Sequence, residues 1–277
     1  AGGNLNTGRD ASGGAGTQTA ALYFGGAYDP TARGLTEEYN GSSWSEQNDM
    51  NQARVYLGAT GTQTAGLAAG GRNTATPGPE SSNVEEYNGS SWSNVTALPV
   101  ATYLPRMAGP QTAAIGAGGY RGYYPGSPIN ATILYDGTNW TTGGNLNNAG
   151  QYGGAVGTQT AMMVAGLYPT NGQTEEYNGS SWSNANPMGS GRYFIGTFGT
   201  QTSAVFAGGG AGSKANCERY DGTNWTATTD LTVARRLLEG GILAPSEAGI
   251  VMAGVPNRTD TEEFTGAFSA SEPFDVS

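Results

Sequence analysis

The chain has 277 residues, of which 47 are glycine, 36% are hydrophobic and only 12% are charged. Its net charge of −10 argues against nucleic acid as a partner, because an acidic surface repels the phosphate backbone. The sequence contains no histidine and no run of about eighteen apolar residues, so it lacks the commonest transition-metal ligand and offers no membrane-spanning helix.

Two short motifs recur six times and divide the chain into units of similar length. The first is GTQTA or a variant of it, with successive starts 42 to 48 residues apart, at Gly16, Gly61, Gly109, Gly157, Gly199 and Ala244. The second is EEYNGSSW or a variant, which ends at Trp44, Trp92, Trp140, Trp182, Trp225 and Phe268. We therefore expect six units, with boundaries at 9–53, 54–105, 106–150, 151–191, 192–234 and 235–277.

Each unit contains four short runs with β-strand character, separated by turn residues. In the second unit these runs are RVYLGAT, TAGLAAGG, NVEEYNG and SWSNVTAL. Asn-Gly or Asp-Gly joins the third run to the fourth in five units, and this pair favours a tight hairpin because it accepts positive φ at both central positions. Small residues dominate the first two runs, which suits strands crowded near a central axis. The pattern predicts four-stranded antiparallel blades.

An apolar run ending in Gly-Gly, then a Tyr, a Trp about five residues later and an Arg about ten residues further on resembles the kelch repeat. The resemblance covers nearly the whole chain and implies an all-β, six-bladed β-propeller that forms a single domain over residues 1–277. The arginines at the repeat position are Arg9, Arg54, Arg106, Arg192 and Arg235, with Gln151 in the fourth unit. The aromatic residues expected to pack between blades are Tyr39, Trp44, Tyr87, Trp92, Tyr135, Trp140, Tyr177, Trp182, Tyr220 and Trp225.

The ring is expected to be closed by a terminal strand. Residues 1–8 have no unit of their own, and GGNLNTGR resembles GGNLNNAGQ at Gly143 to Gln151, which follows a Trp run. This likeness predicts that residues 1–8 complete the outer strand of the sixth blade. The C-terminal FSASEPFDVS, residues 268–277, could fill the same strand, and the sequence leaves both options open.

Four acidic pairs recur with the repeat, at Glu37-Glu38, Glu85-Glu86, Glu175-Glu176 and Glu262-Glu263. Neighbouring strand residues point to opposite faces, so no pair is expected to converge on a substrate as a glycosidase requires. We expect these glutamates to be structural and to accept hydrogen bonds from backbone N–H groups near Gly-Gly. The single cysteine, Cys217, is expected to be a small buried hydrophobe. The sequence therefore predicts no enzyme, no metal and no cofactor.

The connections between second and third strands vary most, whereas the GTQ and Asn-Gly turns at the opposite face hardly change. Variable loops on a constant scaffold often carry binding residues, and Tyr and Arg are enriched at binding hot spots. The candidate ligand-binding residues of this face are Tyr28, Arg33, Arg72, Tyr120, Arg121, Tyr123, Tyr124, Tyr168 and Arg258. The alternative is that these loops are solvated and that their tyrosines only cover neighbouring loops. The repeat arginines either line the channel mouth on this face or tie the blades together.

The GTQTA and EEYNGSSW units also resemble the kelch-like repeats of phage virion and tail-fibre proteins. That resemblance implies an extracellular or virion-surface location and a non-enzymatic adhesion module that recognises a glycan or protein of a host cell through its variable face. One alternative is a structural virion or filament component that contacts other subunits and has no ligand. A secreted carbohydrate-active enzyme is the other, and it would need a convergent acidic pair among Asp29, Glu80 and Asp260. We expect neither nucleic-acid binding nor membrane insertion.

Overall fold

A computed structural model describes residues 2–28, 31–73, 79–122, 126–255 and 258–266. These residues contain β-strands that, in chain order, are β1 (Gly13–Thr17), β2 (Ala20–Phe24), β3 (Ala27–Tyr28), β4 (Thr31–Ala32), β5 (Thr36–Tyr39), β6 (Trp44–Gln47), β7 (Gly58–Thr62), β8 (Ala65–Ala69), β9 (Val84–Tyr87), β10 (Trp92–Val95), β11 (Arg106–Ala108), β12 (Ala114–Ala117), β13 (Tyr120–Arg121), β14 (Ser127–Pro128), β15 (Thr132–Tyr135), β16 (Trp140–Thr142), β17 (Gly154–Thr158), β18 (Ala161–Ala165), β19 (Thr174–Tyr177), β20 (Trp182–Ala185), β21 (Gly196–Thr200), β22 (Ser203–Ala207), β23 (Cys217–Tyr220), β24 (Trp225–Thr228), β25 (Glu239–Gly240), β26 (Ala248–Met252) and β27 (Thr261–Thr265).

The strands form six antiparallel sheets, which we number as blades 1 to 6 in chain order. Blades 1 to 5 have four strands each, β1-β2-β5-β6, β7-β8-β9-β10, β11-β12-β15-β16, β17-β18-β19-β20 and β21-β22-β23-β24, and blade 6 contains β25-β26-β27. Two further hairpins, β3-β4 and β13-β14, lie in the connections between second and third strands. The innermost strands contact one another in sequence, and β25 contacts β1, so the ring closes. The prediction of an all-β, six-bladed β-propeller is confirmed.

The N-terminal segment completes blade 6. Gly2 N–H donates a 3.0 Å bond to Thr261 O, and Leu5 N–H donates a 2.8 Å bond to Thr259 O. In blade 3, Gly143 and Leu146 donate the corresponding bonds to β15 and to the residues just before it. The likeness of the two GGNLN segments therefore reflects one structural role. The competing prediction for residues 268–277 lies outside the described residues.

A tryptophan on each outer strand of blades 1 to 5 packs against the preceding blade. Trp92 is 5% exposed, and its ring centroid lies 5.1 Å from that of Tyr87 and 4.8 Å from that of Phe24. Its indole nitrogen donates a 2.9 Å bond to Thr36 Oγ1. The same indole-to-threonine bond joins Trp44 to Thr261, Trp182 to Thr132 and Trp225 to Thr174. We call the interface between two neighbouring blades a seam. Packing and a directional hydrogen bond thus hold each of these seams together.

The two glutamates of each acidic pair have different partners. Glu37 is buried and ion-paired with Arg9 at 2.5 Å, whereas Glu38 accepts a 2.9 Å bond from the Tyr87 hydroxyl of the next blade. The first glutamate also accepts backbone N–H bonds, but these come from the connection that enters the blade, such as Asn6 N–H at 2.7 Å, and not from Gly-Gly. That detail of the sequence prediction was wrong, while the expected divergence of the two side chains is observed.

Buried ion pairs join the repeat arginine to the first glutamate in four units. They are Arg9–Glu37, Arg54–Glu85, Arg192–Glu218 and Arg235–Glu262, and each arginine is 0–1% exposed. These four arginines tie each blade to the connection that enters it, and their guanidinium groups do not line the channel mouth.

The assignment of Arg106 and Gln151 to the arginine position was wrong. Gly26 N–H donates to Arg54 O, and in the following units Gly71 and Gly119 donate to Thr102 O and Gly150 O. Thr102 and Gly150 are therefore the true equivalents of the repeat arginine. The third unit also carries Ile133 where the second has Glu85, so both members of its ion pair are replaced together.

The glutamine of the GTQTA motif joins neighbouring blades at the turn between first and second strands. Gln63 Nε2 donates bonds of 3.1 Å to Ala21 O and 2.6 Å to Tyr39 O of the preceding blade. Gln111, Gln159 and Gln201 each make the same two bonds one blade further on. The constancy of this turn therefore has a structural cause.

Replacing Gln63 with Ala is expected to lower the free energy of unfolding by about 1–3 kcal/mol, because two carbonyl groups of the seam lose their donor. The matched control is Gln18→Ala, since within the described residues Gln18 donates one bond, of 3.2 Å, to Phe264 O. Urea denaturation of both variants measures the difference. Equal losses in the two variants would contradict a role for the paired bonds.

Candidate functional site

The variable connections lie at one end of the innermost strands, which we call the loop face. The connection that enters each blade pairs there with the connection between its second and third strands. The bridges Val55–Arg72, Tyr103–Tyr120 and Gln151–Tyr168 recur in successive blades. The GTQ turns lie at the other end, which we call the turn face.

A ring of backbone hydrogen bonds, interrupted at two seams in the described residues, surrounds the channel at the loop face. Its members all have φ between 53° and 66°, and they are Ala11, Tyr56, Leu104, Tyr152, Phe194 and Leu237. In one half of the ring, Tyr56 N–H donates to Ala11 O and Leu104 N–H to Tyr56 O, both at 2.7 Å. In the other half, Phe194 N–H donates to Tyr152 O at 2.6 Å and Leu237 N–H to Phe194 O at 3.2 Å. Positive φ is unfavourable for these side chains, so the backbone bonds along each half of the ring offset local strain.

Aromatic rings cluster around this mouth. On one side Tyr103 lies 6.4 Å from Tyr56 and 5.0 Å from Tyr120, centroid to centroid. On the other side Tyr152 lies 4.3 Å from Phe194, and four further ring contacts of 4.9–6.4 Å connect Tyr152, Tyr168, Tyr193 and Phe194. Such pairs stabilise one another beyond simple burial and present broad flat faces.

Two arginines pack on these rings. The Arg72 guanidinium carbon lies 3.7 Å from the Tyr103 centroid, and that of Arg236 lies 6.0 Å from the Phe194 centroid. Stacking pre-organises a guanidinium and leaves its edge free to donate hydrogen bonds. We define the mouth surface as Tyr56, Arg72, Tyr103, Tyr120, Tyr152, Tyr168, Tyr193, Phe194 and Arg236.

The hydroxyl groups of Tyr56, Tyr103 and Tyr152 in the mouth surface stay protonated at neutral pH. Burial raises the pKa values of Tyr56, Tyr103 and Tyr152. Each hydroxyl can therefore donate and accept a hydrogen bond beside the arginines.

The structure brings together only part of the predicted site. Arg72, Tyr120 and Tyr168 belong to the mouth surface, and Arg121 lies next to it with its Nε donating a 3.0 Å bond to Thr102 Oγ1. Tyr28 and Arg33 are exposed on the blade 1 hairpin and make no ring contact with the cluster in the described part of the chain. Arg258 pairs with Asp260 in blade 6. Tyr123 and Tyr124 lie outside the described residues.

Sequence reasoning missed six members of the mouth surface, namely Tyr56, Tyr103, Tyr152, Tyr193, Phe194 and Arg236. All six stand in the connections that enter a blade, where only the repeat arginine had been sought. A signal was present, because Tyr56, Tyr152 and Phe194 each lie five residues before a GTQ turn. Aligning five units on that turn shows an aromatic residue at this position in three of them, with Ala11 and Leu104 in the other two.

Two opposite charges face the channel from opposite blades. Innermost strands begin with glycine in blades 1, 2, 4 and 5, but β11 begins with Arg106 and β25 with Glu239. Both residues line two stacked cavities on the channel axis. Burial raises the pKa of Glu239 to about 7, and Arg106 opposes that rise. Arg106 and Tyr23 are the charged and titratable groups coupled to this carboxyl.

Replacing Glu239 with Gln is expected to stabilise the protein at pH 8 by up to about 3 kcal/mol, with little effect at pH 4.5. A raised carboxyl pKa means that the folded state holds its proton more tightly than the unfolded state. Stability contributed by the protonated form is therefore lost as pH rises from about 4.5 through 7. Denaturation across this range tests the effect, with exposed Glu46→Gln as the control. A constant difference between Glu239→Gln and the wild type at every pH would contradict it.

The loose acids do not converge. Glu80 lies 3.5 Å from Arg72 and Asp260 pairs with Arg258, while Asp29 is outside the described residues. Within the described ranges no cluster of three or more Asp, Glu or Cys side chains is arranged to hold a metal ion. The same part of the chain contains no helix able to cross a membrane.

A groove of about 440 Å³ lies at the seam between blades 5 and 6. Cys217, Phe198 and Phe264 are among its lining residues, and burial raises the pKa of the Cys217 thiol to about 11. Cys217 occupies the position of Thr36, which receives the Trp92 indole in blade 1. The groove thus corresponds to a tryptophan site of the other seams, and Gly266, the last described residue, also lines it.

No protein-family model matches the chain, and no curated protein matches its sequence.

Proposed function

We propose that the chain is a non-enzymatic binding module of a virion or another extracellular surface protein, and that the mouth surface recognises a glycan or protein of a host cell. The observation that carries the proposal is the continuous cluster of aromatic rings and stacked arginines at one end of the channel. The similarity of the repeats to kelch-like repeats of phage virion and tail-fibre proteins supports the surface location.

The contrast between the two faces also favours binding. Turn-face glutamines and seam tryptophans are used in bonds between blades, so their sequence constancy has a structural explanation. The backbones of several mouth residues have repeated roles, but their side chains make no bond that recurs from blade to blade, and Tyr168 is 42% exposed. Aromatic rings that remain accessible on a rigid scaffold are typical anchors for sugar faces and protein side chains.

A glycan-array and host-cell binding screen tests the proposal. The variant Tyr120→Ala/Tyr168→Ala should lose at least tenfold in apparent affinity for any ligand that the native chain binds. Tyr28→Ala is the matched control, because Tyr28 is 49% exposed on the same face but outside the cluster. Absence of binding by the native chain would contradict the proposal and favour a structural virion or filament component.

A further inference from the structure

We infer that the mouth surface recognises an anionic sugar residue, whose carboxylate, sulfate or phosphate group is bound by Arg106. The inference rests on the proposed function and specifies the class of ligand. Its basis is the channel site formed by Arg106 and Glu239 together with the rings above it.

Arg106 and Glu239 occupy positions where glycine allows close packing in other blades. A Cβ on Gly13 would lie 2.7 Å from Ala59 Cβ, and one on Gly58 would lie 2.6 Å from Met107 Cγ, so blades with glycine at this position approach their neighbours closely. The ring of backbone bonds is continuous from Ala11 through Tyr56 to Leu104, and again from Tyr152 to Leu237. In the described chain no such bond crosses the seams that follow Arg106 and Glu239. Arg106 and Glu239 therefore stand where four other blades have a closely packed glycine.

One nitrogen of Arg106 also lacks an acceptor. Its Nε is buried and has no hydrogen-bond partner among the described residues, although Glu239 acts on the guanidinium electrostatically. The Nε of Arg72 is likewise buried without a hydrogen-bond partner. A buried donor left without an acceptor is unfavourable, and more so when it is charged, so an incoming anion would relieve this cost.

Arg106 lies beside the aromatic rings that would hold the sugar. Both Arg106 and Arg72 act electrostatically on the Tyr152 hydroxyl, and Arg72 and Arg236 act on that of Tyr56. A sugar ring stacked on the faces of Tyr152, Tyr193 or Phe194 would place a charged substituent over the channel. Bidentate guanidinium donors suit carboxylate, sulfate and phosphate oxygens.

The negative charge expected of the ligand follows from Arg106 and Glu239. An arginine remains charged in proteins, whereas the Glu239 carboxyl can take up a proton near neutral pH. The distribution of basic residues agrees. Of the eight outside the four repeat ion pairs, all except Arg219 lie in loop-face connections or at the channel, at Arg33, Arg72, Arg106, Arg121, Lys214, Arg236 and Arg258. Two of these, Arg72 and Arg258, pair with Glu80 and Asp260.

Calorimetric titration at pH 6.5 and low salt provides the test, with oligogalacturonate, dextran sulfate and phosphorylated mannan oligosaccharides as anionic probes and dextran as the neutral probe. At least one anionic probe should bind, with an affinity at least tenfold above that for dextran. Arg106→Gln should lose at least tenfold, Arg106→Lys less, and Glu239→Gln should bind more tightly at pH 7.5. Arg219→Gln, which removes a basic residue from the third strand of blade 5, is the matched control. Thermal unfolding verifies that each variant is folded.

Three results would overturn the inference. They are equal binding of dextran, unchanged affinity in Arg106→Gln, and weaker binding in Glu239→Gln. Capture of a neutral glycan or a protein that is lost in Tyr120→Ala/Tyr168→Ala would refute the anionic ligand and leave the proposed function standing. Absence of binding to every probe, array glycan and cell would refute both.

Discussion

Replacing Arg54 with Met is expected to lower the free energy of unfolding by about 3–5 kcal/mol, because it leaves the Glu85 carboxylate buried without its charge partner. Both side chains are 0% exposed, and Arg54 Nη2 lies 2.8 Å from Glu85 Oε1. The same guanidinium donates 2.7 Å bonds to Gly70 O and Asn83 O, so the change also removes two donors from the entering connection. Equilibrium denaturation measures the loss.

The third unit supplies a matched rescue. It carries Thr102 and Ile133 at the positions of Arg54 and Glu85, so the double variant Arg54→Thr/Glu85→Ile copies a pairing that this fold already accommodates. Removing both charges avoids the buried carboxylate, and the double variant should recover about half of the loss. A double variant less stable than Arg54→Met would show that the ion pair itself, and not an unpaired charge, determines stability here.

Replacing Trp92 with Ala is expected to cost about 3–5 kcal/mol, since the indole fills the seam between blades 1 and 2. The change removes contacts with Phe24 and Tyr87 and leaves Thr36 Oγ1 without its indole donor. Chemical denaturation monitored by circular dichroism is suitable, because four other tryptophans would complicate fluorescence.

Trp140→Ala is the control for Trp92→Ala. Val84 replaces the threonine acceptor at that seam, and the Trp140 indole donates instead to Thr96 O at 2.9 Å, with the ring partly exposed. The control should lose clearly less stability. Equal losses would show that the seam bond and the deeper burial of Trp92 contribute little.

The repeat allowed the fold to be predicted from the sequence, and individual residues show why. Asn40-Gly41 fixes a hairpin through positive φ at Gly41, and the spacing of Tyr39 and Trp44 follows from their pairing across that hairpin. Gln63 recurs because it joins two blades. Each unit must form the same hairpin and the same contacts with its neighbour. The residues responsible therefore recur along the chain with small variations.

The channel site could not be deduced in the same way. Arg106 lies four residues after the repeat arginine position. Because it is also an arginine, the sequence suggested that it occupies that position, although its location in the fold differs. Its opposition to Glu239 depends on closure of the ring, which places blades 3 and 6 across the axis from each other. Tyr56, Tyr152 and Phe194 recur at one position of the repeat, but their side chains meet only between connections of neighbouring blades. The sequence of one unit therefore does not show that they form one surface.

The most direct test of the account is to block one face at a time. Cysteine introduced at Gly212 on the loop face, or at Thr64 on the turn face, can carry a bulky polyethylene glycol, and both positions are exposed. Native Cys217 is buried with a raised pKa and should not compete for the label. The account predicts that polymer on the loop face abolishes capture by the glycan array and by host cells, while polymer on the turn face leaves capture unchanged. Capture that survives loop-face blocking, or is lost only on turn-face blocking, would contradict the assignment of recognition to the mouth surface.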